Sequence, residues 1–441
     1  MNTSKTTILA LVVMAVSFPA IAVDLLDTYH AAQGQDPVFA AARSAQRAGK
    51  EKLTQGRSTL LPSLNATANT TYNDSITNTP TDPLGRRNYN SSGYGLILVQ
   101  PLFRQNNWQL YTESELQVAQ SEAQFKNAEQ DLILRVAQAY FDVLSAQDAV
   151  NLTAAQKTAI TEQLAQAKRN FEVGSATITD TLEAQARFDL IEAQAIAALS
   201  NLEIKERGLQ QLTNTMPKNL QEIGAAFKLE MPKPGNPEKW VEQAQLGNLQ
   251  LAVARAGAEL ADKEVVRNRG GHYPTVDLVA TYNQNNAGSN GGVAGVGLDA
   301  TVATVGVQLN FPLFQGGATQ SKWREAEANR DRANAELESA RRNVDLQTRQ
   351  AYTGVVNGMS QVMALEQALK SSEKLLEASK LGQEVGVRTN LDVLNAQQQL
   401  FSTRRDLFLA KYNYLISRLR LQAATGSLAE DELVAVNKAL H

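Results

Sequence analysis

The sequence predicts an α+β fold in which two copies of one unit each combine a β-hairpin with very long helices. Three observations support this prediction. A shift of about 212 positions superimposes Pro62 on Pro274 and Gly174 on Gly386, stretches of nearly 70 residues lack proline, and shorter segments alternate apolar and polar residues. This repeat is longer than the roughly 20 to 50 residues of a solenoid unit, so it indicates a duplicated half.

The composition excludes several classes of function. The chain has 441 residues, 43% of them hydrophobic and 20% charged, with a formal net charge of −3 and no cysteine. These values argue against intrinsic disorder, a nucleic-acid partner, a disulfide scaffold and a cysteine nucleophile. The histidines, His30, His272 and His441, are too far apart in sequence to suggest a metal cluster. Thiolate metal sites and a histidine-rich metal cluster are therefore not expected.

The amino terminus predicts export. Lys5 precedes an apolar run at 8–16, and Ala20-Ile21-Ala22 has the small-x-small pattern of a signal peptidase site. Residues 1–22 are therefore interpreted as a signal peptide, with the mature chain starting at Val23. No later stretch approaches the 18 or so apolar residues typical of a membrane-spanning helix. The mature protein is expected to be either soluble in the periplasm or a β-barrel.

The proline-free stretches at 104–172 and 320–384 are rich in Ala, Gln, Glu and Leu, which favours long helices. At 1.5 Å per residue, each would be roughly 100 Å long. A strict seven-residue spacing in the following segment indicates left-handed supercoiling against neighbouring helices. Its members are Val393, Leu400, Leu407, Tyr414 and Leu421.

Residues 63–73 and 276–283 alternate apolar and polar side chains, and residues 94–100 and 305–311 supply partner strands. Segments 77–90 and 285–297, rich in Asn, Pro and Gly, are predicted to be loops. Each half thus contributes one hairpin, and four strands are too few for the roughly eight of the smallest membrane barrels. We expect a barrel shared between copies of the chain. The alternative is a small sheet packed on a soluble helical domain.

These patterns divide the chain into five regions. They are a signal peptide at 1–22, a first repeat at 23–215, a proline-rich linker at 216–237, a second repeat at 238–426 and a carboxy-terminal segment at 427–441. The first repeat has a helix, a hairpin at 63–103, a long helix at 104–172 and a return helix at 177–214. The second repeat has a helix, a hairpin at 274–314, a long helix at 318–385 and a return helix at 390–424.

Each long helix is predicted to end at a glycine, Gly174 or Gly386, because glycine adopts the left-handed conformation of a helix C-cap. The next helix then starts with a capping box, Thr177-x-x-Asp180 in the first half and the equivalent Thr389 and Asp392 in the second. Two helical hairpin tips result, at the end opposite the strands. Helix capping by itself is one complete explanation of both aspartates.

Several motifs together resemble the outer-membrane efflux proteins, also called outer membrane factors. They are two Pro-Leu-Phe boxes at 101–103 and 312–314, the Val-Gly-x-x-Thr turns, and the segments 385–395 and 412–416. The resemblance covers essentially the whole mature chain. It implies a homotrimer in the outer membrane of a Gram-negative bacterium, with four strands per protomer in one 12-stranded antiparallel β-barrel and a long periplasmic α-helical coiled-coil barrel.

The function implied by the resemblance is a passive exit duct for type I protein secretion, multidrug efflux or both. It implies no covalent chemistry, so neither enzymatic activity nor a cofactor is expected. The implied partners are outer-membrane lipid, a periplasmic adaptor (membrane fusion protein) and an inner-membrane ABC, RND or MFS transporter. The alternative function is that of a soluble periplasmic coiled-coil protein with a structural or adaptor role.

The resemblance also implies the positions of the functional residues. The periplasmic gate maps to Thr179, Asp180, Arg388 and Gln383, and a selectivity ring that favours cations maps to Asp392 and Asn395. Gln383 replaces a tyrosine and Asn395 an aspartate of the family pattern, so three ring carboxylates are expected in place of six, with weaker block by an inhibitory cation at Asp392. No resident metal site is implied. The adaptor-docking tips map to Val173, Gly174, Thr177, Val385, Gly386 and Thr389.

Overall fold

A computed structural model describes residues 23–79, 82–224, 227–288 and 297–440. The predicted signal peptide lies outside these residues. The first half contains α1 (Leu25–Gln35), α2 (Pro37–Ser58), β1 (Ser63–Thr79), β2 (Asp82–Phe103), α3 (Gln105–Glu172) and α4 (Ile178–Thr213). The second half contains α5 (Pro237–Gly247), α6 (Leu249–Arg269), β3 (Thr275–Ala287), β4 (Leu298–Asn310), α7 (Ala318–Glu384) and α8 (Asn390–Thr425), followed by α9 (Glu430–Asn437).

The two halves repeat the same order of elements, which confirms the predicted duplication. Helices α3 and α7 have 68 and 67 residues, and α4 and α8 have 36 residues each. Each long helix therefore forms a hairpin with a return helix about half its length, and the lengths agree between the two halves. The α3/α4 hairpin is hereafter the first coil hairpin, and the α7/α8 hairpin is the second.

The helix expected before each strand hairpin is in fact two helices. The breaks fall at Asp36 and Asn248, where the side chain accepts a hydrogen bond from the backbone N–H of Phe39 or Leu251, each at 3.0 Å. Asp and Asn are strong N-caps, so each residue ends one helix and begins the next. The break has the same cause in both halves.

The four strands form one antiparallel sheet in the order β1-β2-β3-β4. The register places Leu64, Leu98, Ala280 and Val305 side by side across the sheet. Leu64 and Val305, on the outer strands, are 65% and 76% exposed. One face of the sheet therefore carries apolar side chains that the chain itself does not cover. The outer edges of β1 and β4 have no partner strand in the part of the chain that the structure describes.

The prediction of a loop at 77–90 is wrong for most of that segment, because β1 continues to Thr79 and β2 begins at Asp82. Asn285 to Ala287 likewise belong to β3 and not to a loop. Polar and turn-forming residues suggested loops, but pairing with the neighbouring strand satisfies the backbone here. The β1/β2 hairpin continues past the last β2–β3 pair, Ser91 with Ala287, by about 25 Å.

The main apolar core lies where α1, α3, α8 and α9 meet the segment between α4 and α5, a region called the waist below. Its largest buried side chains include Tyr29, Tyr140 and Tyr414. The hydroxyl of Tyr140 accepts from the Gln221 N–H at 3.0 Å and lies 2.9 Å from the Gln221 carbonyl oxygen. Tyr414 makes the same pair of bonds with Glu230, at 2.9 and 2.8 Å. Two tyrosines from different coil hairpins thus hold the connecting segment.

We expect Tyr140→Phe to destabilise the protein by about 0.5–1.5 kcal/mol per chain, because the partly buried hydrogen bonds of the Tyr140 hydroxyl with the Gln221 backbone and the Val23 carbonyl are lost. Thermal unfolding followed by circular dichroism measures the loss. Tyr352→Phe is the matched control, since the Tyr352 hydroxyl bonds the Gly235 carbonyl at 2.8 Å in an exposed setting where water replaces it. Equal unfolding temperatures for Tyr140→Phe and the control would contradict this account.

Candidate functional site

The site begins with the two coil-hairpin tips, residues 173–177 and 385–389. Gly174 and Gly386 have φ of +75° and +79°, as predicted for C-cap glycines. The N–H of Ser175 donates to the Asn170 carbonyl at 2.8 Å, and the N–H of Val387 donates to the Gly382 carbonyl at 2.9 Å. These are the bonds of a Schellman motif, which satisfies the last carbonyls of each long helix.

Both predicted capping boxes are present. The Thr177 and Thr389 backbone N–H groups each donate to a carboxylate oxygen of Asp180 or Asp392 at 2.9 Å. The aspartate N–H groups donate back to the threonine hydroxyls at 3.2 Å in both tips. Each return helix thus starts with two orphan backbone donors satisfied reciprocally.

The Asp392 carboxylate is held in its charged form. The Thr389 backbone N–H, then the Thr389 hydroxyl and finally the Arg388 charge lower the pKa of the Asp392 carboxyl below its usual value. Arg388 Nη1 lies 3.7 Å from the second carboxylate oxygen. Asp392 therefore stays ionised at neutral pH while it caps its helix.

The remaining predicted gate residues lie at the tips without forming one network inside a protomer. Thr179 is exposed, and Gln383 donates to the Asn390 side-chain oxygen at 3.3 Å, within the second coil hairpin. In the described ranges, no hydrogen bond joins Thr179 or Asp180 to Arg388. The role of these residues as a gate stays a prediction.

The tips expose apolar side chains. Val173 and Val387 are each 77% exposed, and Val385 is also largely exposed. Because these valines flank the C-cap glycines, each tip presents a small exposed apolar surface on a hydrogen-bonded turn. The predicted docking residues Gly174, Thr177, Gly386 and Thr389 lie beside these valines and are exposed.

Sequence reasoning missed one residue, Arg187 on α4. Its Nη2 donates to the Asn395 side-chain oxygen on α8 at 2.9 Å, and its Nη1 donates to the Gln398 side-chain oxygen. These bonds join the two coil hairpins. The shift of 212 places Gln399 at the equivalent position of the second half. The arginine in one half and the glutamine in the other are a difference visible in the sequence that could have drawn attention to Arg187.

Among the residues that the structure describes, no group of three or more His, Cys, Asp or Glu side chains could hold a metal ion. Over those same ranges, no helix is both long and apolar enough to cross a bilayer.

Comparison with known proteins places the chain in a family. The model for the outer membrane efflux protein family matches residues 28–215 and 240–427, one match for each half. Outer membrane protein TolC of Escherichia coli (strain K12) is 33% identical over 425 residues, which cover 95% of this chain and 85% of that protein. Alkaline protease secretion protein AprF of Pseudomonas aeruginosa is 35% identical over 426 residues, covering 95% of this chain and 88% of AprF.

The fold is shared with solved outer-membrane channels. The Campylobacter jejuni CmeC outer membrane channel superimposes with a TM-score of 0.80 at 17% sequence identity, covering 94% of this chain and 89% of that channel. This likeness confirms the predicted combination of a four-stranded contribution to a sheet with long coiled helices. The chain belongs to the outer membrane efflux protein family and is an outer-membrane protein with a large periplasmic portion.

Proposed function

We propose that the chain is an exit duct of the outer membrane for type I protein secretion, multidrug efflux or both. The observation that carries this proposal is the connection between a four-stranded sheet with two open edges and two helices that are each about 100 Å long. Such a chain is suited to line a passage from the periplasm to the exterior once several copies assemble.

Assembly as a trimer accounts for the open edges. In lipid each unpaired backbone N–H and C=O costs several kcal/mol, so β4 of one protomer pairs with β1 of the next. Three copies of four strands give a closed 12-stranded barrel. The apolar row that includes Leu64 and Val305 then faces lipid, and the alternate polar row faces the lumen.

Passive conduction fits this assembly better than catalysis, since the duct needs only a continuous wall and a gate. The alternative of a soluble periplasmic coiled-coil protein does not explain why one face of the sheet exposes apolar side chains. Membership of the outer membrane efflux protein family further supports the duct. Relatives named for protease secretion and for outer-membrane efflux leave both cargo classes open.

Docking at the tips follows from their shape. The valines at Val173, Val385 and Val387 are exposed on turns that the C-cap glycines hold in place. We assign this surface to a periplasmic adaptor of the membrane fusion type, which connects the duct to an inner-membrane ABC, RND or MFS transporter. The gate residues Thr179, Asp180, Gln383 and Arg388 are close to the same surface, and in this proposal their links form between protomers.

The Asp392 ring gives a direct test of the duct. Three carboxylates around a narrow opening attract cations, so a reconstituted trimer should conduct ions and be blocked by a trivalent cation such as La³⁺. Because Thr389 lowers the Asp392 pKa below its usual value of 3.8, the carboxylate stays charged as the pH falls to 5. Block should therefore be constant between pH 7 and 5 and weaken only below about pH 4.

Single-channel recording in planar bilayers measures both conductance and block. Asp392→Asn should abolish most of the block, whereas the control Asp189→Asn should not, because Asp189 is an exposed α4 residue bonded to its neighbour Gln185 at 2.9 Å. Absence of any conductance in the wild-type trimer would refute the duct. Equal block in Asp392→Asn would refute the ring alone.

Replacing Gly174 and Gly386 by leucine should abolish efflux or secretion while trimers still form. Positive φ at both positions strains a leucine by about 1–2 kcal/mol, so the tip must change shape. Gly208→Leu on α4 is the control, because its surroundings are open and its φ is not positive. Transport assays in cells and cross-linking of trimers test this, and normal transport by the tip variant would count against docking there.

A further inference from the structure

The two coil hairpins are held together by side-chain hydrogen bonds at two levels. Near the waist, the Tyr412 hydroxyl donates to the Asp148 carboxylate at 2.6 Å. Asp148 lies about 36 Å from the end of α3, at 1.5 Å per residue. Over that distance, in the part of the chain that the structure describes, the bonds that cross between the hairpins are those of Arg187 to Asn395 and Gln398.

We propose that Arg187 is a latch that holds the second coil hairpin against the first when the duct is closed, and that Asn395 sets the strength of this latch. The proposal rests on the proposed function of a gated duct. It makes Arg187 a positioning residue, because it acts through the position of α8 and the gate at its tip.

The two coil hairpins pack poorly against each other around Arg187. Gln397 on α8 is 6% exposed, yet its side-chain oxygen has no hydrogen-bond partner among the described residues, and the same is true of Gln163 Oε1 and Thr181 Oγ1 on the first hairpin. A cavity of about 40 Å³ lies between α3, α4 and α8, lined in part by Ile160, Arg187 and Gln397. Buried polar groups without partners favour separation of the helices, since separation lets water reach them.

Apolar packing between the hairpins is sparse at this level: Ile160, Ile191 and Leu394 are buried around the same cavity, but none of them belongs to an apolar cluster among the described residues. The buried cluster nearest the first tip, formed by Leu164, Ala167 and Ala184 with Phe188 packed on it, joins α3 to α4 within one hairpin. At the waist, by contrast, a continuous core that includes Tyr140 and Leu415 joins the two hairpins. The tips can therefore separate at the latch while the waist stays closed.

The identity of residue 395 determines the charge of this contact. Asp392, Asn395 and Gln398 are three residues apart in succession on α8, so each is a surface neighbour of the next, and the Arg187 guanidinium lies within about two helical turns of the ring carboxylate. Asn395 offers a neutral oxygen, which binds a guanidinium more weakly than a carboxylate does. In Asn395→Asp the new carboxylate would pair with Arg187. This variant should strengthen the latch and add less negative charge to the ring than the sequence alone suggests.

The test uses purified trimers in planar bilayers. Arg187→Gln should raise the open fraction about two- to fivefold for each latch broken, and Asn395→Asp should lower it. Lys157→Gln is the matched control, because Lys157 bonds Glu192 at 3.0 Å at a similar height but within the first hairpin. The control should leave the open fraction unchanged. The double variant Arg187→Gln with Asn395→Asp should show stronger La³⁺ block than Asn395→Asp alone, since its ring charge is no longer paired.

The outcomes distinguish failure of the latch from failure of the duct. An unchanged open fraction in Arg187→Gln, or a higher one in Asn395→Asp, overturns the latch while leaving the duct in place. A purely structural role of Arg187 would lower the unfolding temperature and leave La³⁺ block equal in the single and double variants, and this result also overturns the latch. A wild-type trimer that never conducts overturns the duct and the latch with it.

Discussion

Backbone hydrogen bonding at the two edges of the sheet is the constraint on which the rest of the structure depends. Strands β1 and β4 each present a row of N–H and C=O groups that the described chain leaves unpaired. A bilayer supplies no water to satisfy them, so the sheet must continue into another copy. Closure of the sheet then places the helices that follow it in a ring. The proposed duct is thus a consequence of the unpaired edges of β1 and β4.

The connection between the sheet and the helices fixes where the long helices start relative to the strands. Arg104 is the single residue between the end of β2 and the start of α3. Its guanidinium makes a bidentate contact with the Asp277 carboxylate of β3 at 2.7 and 2.6 Å. Asp277 is buried, and bidentate pairs fix orientation as well as distance. The ion pair thus ties the start of the first long helix to the second half of the chain, where the two strand hairpins meet.

Long-period features of the sequence predicted most of the fold, and local features predicted the tips. The 212-residue shift gave the duplication, and Gly174 with Thr177 gave a turn whose bonds the structure confirms. Segment 77–90 was predicted to be a loop because its Asn and Gly residues are local turn signals, whereas cross-strand pairing decides its conformation. Arg187 escaped detection because its contact with Asn395 joins residues 208 apart. Such contacts depend on how the hairpins pack.

Cysteine cross-linking of the sheet edges tests the central claim most directly, because the chain has no cysteine of its own. One cysteine is placed at Ala66 in β1 and the second, in separate variants, at Ala303, Val305 or Val307 in β4. Within one sheet these strands are about 14 Å apart, too far for a disulfide. Oxidation in native membranes should give covalent trimers for at least one variant. Persistence of monomers in all three variants would contradict a barrel closed by pairing of β1 with β4.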